Sequence, residues 1–517
     1  MQSVSNQFKQ AVYAPARRTD ARVIFDISDV DAYEDATVEV TSEAEISRKD
    51  QLHNLVMQRP AYATFEPNYW KLDGSFVLPP KPDEEGHEVG WYSDAFSDEN
   101  GDFNPPQVMD FTFTKPHSSI GLTISFDEPA GEYAVDFDIA AYDENDNLIK
   151  DIQVRGNNRT RPVIEEGIAT YQRIVVTLLK WSKPHRRAKV NEVSFGVVRI
   201  YAGENLIKMN VLEQVDTTSA TVPADELKFT VDNSSREFNI LNPEGSYVFL
   251  QQRQSARAEI GVEIHPGVFK YVNMGTYYLY DWQSDEGALT TTFTARDLID
   301  FIPDIEIEDE TGTSTNLYNL AESILTLAGV EKYELDPVLQ TINTQGAYSR
   351  VNYRALLQMI AIAGCCVMHA DRNDVFRIER ITETSPVDLI DFDNIYREPK
   401  INLEKLVTRV EVAYYNGIDP VGTYTATSSI SGGSTLKVEN SLINSQSHAQ
   451  EVAEWLLSES MKRALYDITW RQNPALEALD IVTVEDAYGA NKPSRIISNE
   501  FEFAGYLSGK TKTKGAI

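Results

Sequence analysis

Five cations, Lys180, Lys183, Arg186, Arg187 and Lys189, fall within a ten-residue run that also holds Trp181 and His185 and contains no acid. In a chain with a formal net charge of -32, this is a local reversal of sign. Guanidinium and ammonium groups beside aromatic faces suit an anionic polymer or a glycan, through charge-assisted hydrogen bonds and cation–π contact. The same run also fits a basic loop docked on an acidic neighbour in the same assembly. Trp70, Trp91 and Tyr92 extend the aromatic set, as rings that stack on sugar or as core. The candidate glycan or polymer contacts are therefore Trp70, Trp91, Tyr92, Trp181, His185, Arg186 and Arg187.

Other chemistries lack their residues. None of the seven histidines sits in an HExxH spacing, which excludes the commonest zinc-peptidase site. His448 and Glu451 lie three apart on a predicted helix but have no second histidine near them, and read as an exposed helix start. Cys365 and Cys366 are adjacent. Neighbouring cysteines pair only through a strained ring, so they read as reduced, buried thiols rather than as a nucleophile or metal ligands, although His369 is close. No GxSxG elbow occurs. Among 79 acidic residues, carboxylate pairs are too many for any one to signal a glycosidase. The acidic strings DENGD (98–102) and DENDN (143–147) offer calcium-type oxygens, but DENDN lacks the following Gly and distal Glu of a calcium loop, and both read as solvated turns. No catalytic, cofactor-binding or metal residue is assigned, and the chain is not expected to be an enzyme.

Composition sets the frame that must position any site. A chain of 517 residues is too long for one core, and 42% hydrophobic with 24% charged residues is ordinary for folded domains. The acidic balance disfavours adhesion to nucleic acid. The opening MQSVSNQFKQAVYAPARR has no apolar run of the secretory kind, and no window reaches the ~20 apolar residues of a membrane helix. The expectation is a soluble, cytosolically folded protein without membrane insertion.

The elements divide the chain into regions. ARVIFDIS and ATVEVTS, within 8–46, read as a hairpin that pairs with a strand-rich stretch at 205–299. In that stretch Leu227, Phe229 and Val231 alternate with Lys228, Thr230 and Asp232, the period of a half-buried strand. Turns are expected at 242–245 and 284–287, giving an antiparallel meander able to curl into a barrel. Between these parts, 53–200 has a Pro- and aromatic-rich lead and then short strands, and reads as an inserted β-sandwich of jelly-roll type. Val135, Phe137 and Ile139, alternating with Asp136, Asp138 and Ala140, mark a half-buried strand there, and 174–179 a doubly covered one. After an acidic connector at 302–314, NLYNLAESILTLAG and NYRALLQMIAIAG read as helices ended by Gly329 and Gly364, followed by a hairpin, so 301–399 is a small α+β domain. The last region, 400–517, has strands around one helix, HAQEVAEWLLSESMKRA, for which Ser447 and Gln450 suit a capping box.

ELKFTVDN (226–233), MGTYYLYDW (274–282) and TFTARDLI (292–299), then DITWRQNPALEALDIVTVEDAYG (467–489) and FEFAGYLSGKT (501–511), resemble in this order the tail-tip or baseplate hub proteins of bacteriophages. NYWKLDGSF, SIGLTISFDE and VNEVSFGVVRIY resemble discoidin-type, galactose-binding-like sandwiches. The resemblance implies a mainly β (α+β) chain: two tail-tube-like β-barrel hub domains, the first split into 1–52 and 201–300 and the second at 400–517, with the α+β domain between them and the sandwich inserted. It further implies a homotrimeric ring at the distal end of a tail, assembled in the host cytoplasm and resident in the virion. The distal tail or tail tube protein would lie above it, tape-measure and fibre or spike proteins would be neighbours, and DNA would pass through without specific binding. Two other readings stand beside this one: an adhesin whose inserted module binds a host cell-wall glycan, and a wall hydrolase.

Overall fold

The computed structural model describes all residues except 55–58, 72–75, 82–86, 243–244, 285–286, 288, 308–313, 383, 487, 490 and 517. Residues 243–244 and 285–286 of the expected turns at 242–245 and 284–287, part of the 68–76 string and much of the acidic connector lie outside the described residues. Two compact units emerge: one comprises 1–24, 200–235 and 255–517, the other 25–199 and 236–254.

The first unit is built on one large sheet. Its meander has the expected alternation: Leu227, Phe229 and Val231 are buried while Lys228 is exposed. Glu226–Asp232 pairs with Thr290–Arg296 on one side and Leu206–Gln214 on the other. Facing rings of Phe229 and Phe293 stack at 5.0 Å, a cross-strand pair of the kind that fixes register. Leu206–Gln214 is also paired, from Met209↔Phe503 to Gln214↔Ser498, with Pro493–Phe503 near the end of the chain. Strands from both regions expected to form barrels therefore belong to one continuous 13-stranded sheet. At one end of the order lies Lys400–Leu403, paired among the described residues only to Ala464–Trp470 and with all four residues exposed.

The two predicted helices of the α+β region form as Leu317–Leu327 and Tyr353–Ala363, capped by the side chains of Asn316 and Asn352 and closing at Ala328 and Gly364. Leu317, Ala321, Ile324 and Leu325 of the first face a core shared with Leu356, Leu357 and Ile360 of the second. The expected hairpin follows as Val367–Ala370 and Phe376–Glu379. The last long helix, Gln446–Met461, starts two residues earlier than the sequence suggested: Ser445, not Ser447, accepts the His448 amide. His448 is not at an exposed start. It is buried, its Nε2 lies 2.8 Å from the Ala363 carbonyl oxygen, and burial lowers its pKa.

The second unit is a sandwich. A five-stranded sheet, in the order Thr37–Val40, Asp102–Ser119, Ile168–Trp181, Ala134–Tyr142, Leu148–Val154, faces a four-stranded one made of Val163–Ile164, Leu122–Phe126, Arg187–Ser194 and Trp91–Phe96. The interior is aromatic, with Phe126 packed edge-on to Phe137 and Trp181. Two expectations change here. Thr37–Val40 pairs with Asp102–Ser119 instead of with the meander, because Val38 buries in the sandwich core opposite Phe111. The 174–179 run is not doubly covered: Ile174, Val176 and Leu178 are buried and the residues between them are half-buried.

Among the described residues no helix is long and apolar enough to cross a membrane, and no group of three or more His, Cys, Asp or Glu is arranged to hold a metal ion. Asp98 and Asp143 use their carboxylates within their own turns, each accepting backbone N–H groups two and four residues on.

Candidate functional site

The acid-free basic run begins at the end of Ile168–Trp181, passes through a turn and enters Arg187–Ser194, whose pairing with Trp91–Phe96 shifts register between Arg187 and Lys189, so its members face different surroundings. Lys183 and His185 stay exposed at the turn, with His185 in the left-handed region at φ 52°. Arg186 and Lys189 turn inward and are buried. Arg187 is half-buried, its guanidinium 4.4 Å from the Phe96 ring centroid and its Nη1 3.1 Å from Asp94 Oδ1. Of the candidate aromatics, only Trp70 is exposed, at 45%. Trp91, Tyr92 and Trp181 are core residues, and none of these rings presents a face to a ligand. The expected platform of aromatics and cations is therefore not assembled on the surface.

What the inward cations meet is a buried ionic network. Arg186 Nε donates to Glu132 Oε1 at 2.9 Å, and Trp181 Nε1 donates to Glu132 Oε2 at 3.1 Å. Lys189 Nζ donates to Glu66 Oε1 at 2.8 Å and lies 3.9 Å from Glu132. The Arg187 backbone N–H donates to the same Glu66 oxygen at 2.8 Å. Burial pulls the Lys189 pKa down, and Glu66, Asp127 and Glu132 act against that pull. Tyr69 roofs the cluster: Lys189 Nζ is 4.1 Å from its ring centroid, and its hydroxyl donates to Asp127 Oδ2 at 2.5 Å. Burial, then the Asp127 charge, pushes the Tyr69 pKa up. Arg186 and Lys189 are thus paired with carboxylates of the sandwich's own interior.

One corner of this network is incomplete. Arg59 donates from Nη1 to the Val89 carbonyl oxygen at 3.0 Å and to the Tyr92 hydroxyl. Its Nη2 is 3.3 Å from Asp127 Oδ1, within ion-pair reach but without hydrogen-bond geometry, so Arg59 Nε and Nη2 and Asp127 Oδ1 all lack a hydrogen-bond partner. Asn191, 4% exposed, has neither its Nδ2 nor its Oδ1 satisfied. Arg59 and Asn191 line a cavity of about 260 Å³ together with Glu128 and Pro129. A buried amide left without partners costs about 1–3 kcal/mol, so the corner suits a polar guest that both donates and accepts. Nothing in the sequence marked Arg59, Asp127 or Asn191. The one available signal was the excess of cations at 180–189, which requires acids elsewhere in the same domain if those cations are buried.

No protein-family model and no curated protein matches this sequence. Solved structures do resemble it. The tail protein from Neisseria meningitidis MC58 is 12% identical, with a TM-score of 0.43, covering 60% of this chain and 93% of its own. Prophage tail protein gp18 from Listeria monocytogenes EGD-e is 12% identical, with a TM-score of 0.41, covering 61% and 91%. The family 32 carbohydrate-binding module of C. perfringens NanJ, solved with galactose, is 13% identical, with a TM-score of 0.22, covering 34% of this chain and 99% of its own. The chain is thus similar to phage tail proteins over about three-fifths of its length and to a carbohydrate-binding module over about one-third.

Proposed function

We propose that this protein is a structural hub of a phage tail tip or baseplate, forming a homotrimeric ring that closes the distal tail tube and leaves a path for genome delivery. The observation that carries the reading is the joint between Leu206–Gln214 and Pro493–Phe503, which merges the strands bearing both hub-like sequence regions into one sheet. A long sheet ending in an exposed strand, Lys400–Leu403, with Ile401 and Leu403 at 59% and 57% exposure, is a template for pairing with further chain. Cyclic repetition of one such contact closes a ring. Three copies, each carrying -32, repel one another, so assembly is expected to strengthen with salt. Native mass measurement of the full chain across ionic strengths tests this: the expected species is three times 58.2 kDa, and a strict monomer at high concentration and high salt would overturn it.

A second role is favoured by the incomplete corner of the sandwich. The unsatisfied Arg59 and Asn191 groups in their cavity support a module that contacts host-surface glycans, mounted on the hub. A glycan array probed with the full chain and with Asn191→Ala tests it. Binding that weakens in the variant supports the module as a receptor, and no binding to any envelope polymer leaves it a spacer.

A further inference from the structure

A separate cavity of about 540 Å³, within the size range of small-ligand sites, lies in the first unit. Its wall includes Glu213 from Leu206–Gln214, Asp225 just before Glu226–Asp232, and Asp297 just after Thr290–Arg296. Adjacent strands therefore deliver three carboxyl groups to one place. Asp225 and Asp297 are locked together by their backbones: the Asp225 N–H donates to Asp297 Oδ2 at 3.0 Å, and the Asp297 N–H donates to the Asp225 carbonyl oxygen at 3.1 Å. Asp225 Oδ1 accepts the Gln214 N–H at 2.7 Å.

The cations on the same wall are already committed: the Met1 ammonium pairs with Glu477 at 3.2 Å and with Asp480 at 2.5 Å, and Arg495 donates to the carbonyl oxygens of Leu479 and Thr382 at 2.9 and 3.1 Å. Arg372 pairs with Glu213 Oε1 and donates to the carbonyl oxygens of Pro474 and Leu476, both at 2.6 Å. Arg377 is held by Asp371 at 2.8 Å and by Glu334, and Arg380 by Glu451 at 2.7 Å. Among the described residues neither Asp225 nor Asp297 forms an ion pair. Glu213, only 3% exposed, keeps its Oε2 without a hydrogen-bond partner. A buried acceptor of this kind is costly, and a donor arriving in the cavity removes the cost.

We propose that this cavity is a receptor for an organic cation, a primary ammonium or guanidinium group that donates hydrogen bonds to Glu213, Asp225 and Asp297. The electrostatics agree with the geometry. Burial, and then the neighbouring Asp297 and Glu213, hold the Asp225 carboxyl well above its ordinary range, and burial lifts Asp297 to about 7. A bound cation favours the ionised form of both carboxyls, so its entry is expected to release protons. The groups facing the pair besides Glu213 include Arg372, Tyr277, Tyr278 and Arg354.

The charged nitrogen has two sources, a free small amine or a side chain of a partner protein. Titration calorimetry of the full chain at pH 7, in two buffers of different ionisation enthalpy, uses agmatine for the first and acetyl-Gly-Arg-Gly-amide for the second. Saturable binding of either with proton release supports the proposal, and the tighter ligand identifies the source. Asp225→Asn keeps the Oδ1 acceptor for Gln214 and leaves the Glu213–Arg372 pair intact. It is expected to weaken binding about 10- to 100-fold, as loss of a charge-assisted hydrogen bond does. Tetramethylammonium, which donates no hydrogen bond, is expected not to bind. Absence of binding by both probes, equal binding of tetramethylammonium, or binding without proton release overturns the proposal.

Discussion

Lys189 and Glu66 form an ion pair of 2.8 Å in which the two side chains are 0% and 1% exposed. A charge pair so deeply buried owes its place to geometry, since each ion alone would be far costlier than the pair. Replacing Lys189 with Met strands the carboxylate and is expected to destabilise the sandwich by about 3–5 kcal/mol. The double change Lys189→Met, Glu66→Gln is expected to restore most of that. Chemical unfolding followed by tryptophan fluorescence, run as a double-mutant cycle, measures the coupling.

Asp26 is expected to make the stability of the sandwich depend on pH. Burial raises its carboxyl to about 6, against the pull of Ser28 and Arg161, and its Oδ1 has no hydrogen-bond partner. A raised folded-state pKa means that the folded form holds the proton more tightly than the unfolded chain. Its contribution is complete below the ordinary carboxyl value of 3.8 and is lost as pH rises to about 6, a change of at most about 3 kcal/mol. Asp26→Asn is expected to flatten that part of the stability profile and to raise the melting temperature above pH 6, as read by scanning calorimetry at a series of pH values.

Gly509 tests the terminal hairpin of the large sheet. A Cβ at this position would meet the Glu500 carbonyl oxygen at 1.8 Å, backbone that cannot swing aside. Its neighbour Gln472 fixes the same spot, its amide donating to the carbonyl oxygens of Glu500 and Lys510 at 2.9 and 3.1 Å. Gly509→Ala is expected to abolish soluble folded protein, as read by expression and circular dichroism. Asp102→Ala, at a half-exposed position in the other unit, serves as the control for the assay.

Cys365 and Cys366 are free and buried, and burial raises both thiols, Cys365 to about 12. Thiolate is therefore scarce at neutral pH. A thiol reagent such as DTNB is expected to leave both unmodified in the native protein and to react with two equivalents on denaturation.

Sequence determined this protein wherever one element carries its own signal. The meander is legible because Leu227, Phe229 and Val231 repeat every second residue. The helices are legible because Asn316 and Asn352 cap amphipathic runs that glycine closes. The adjacent cysteines read correctly as core thiols because little else is open to such a pair. Tertiary structure alone decided what depends on partners distant in the chain. The pairing of 206–214 with 493–503 leaves no local trace, since a strand's pattern states which face is buried and not which strand lies beside it. For the same reason Thr37–Val40 was assigned to the wrong sheet. The basic run at 180–189 is the sharpest case. Composition gave its charge, but only the positions of Glu66 and Glu132, more than a hundred and about fifty residues away, turned Arg186 and Lys189 from a surface patch into a buried network. Low-dielectric burial is tolerated there because each cation meets its carboxylate within 3 Å, a condition that no single stretch of sequence can state.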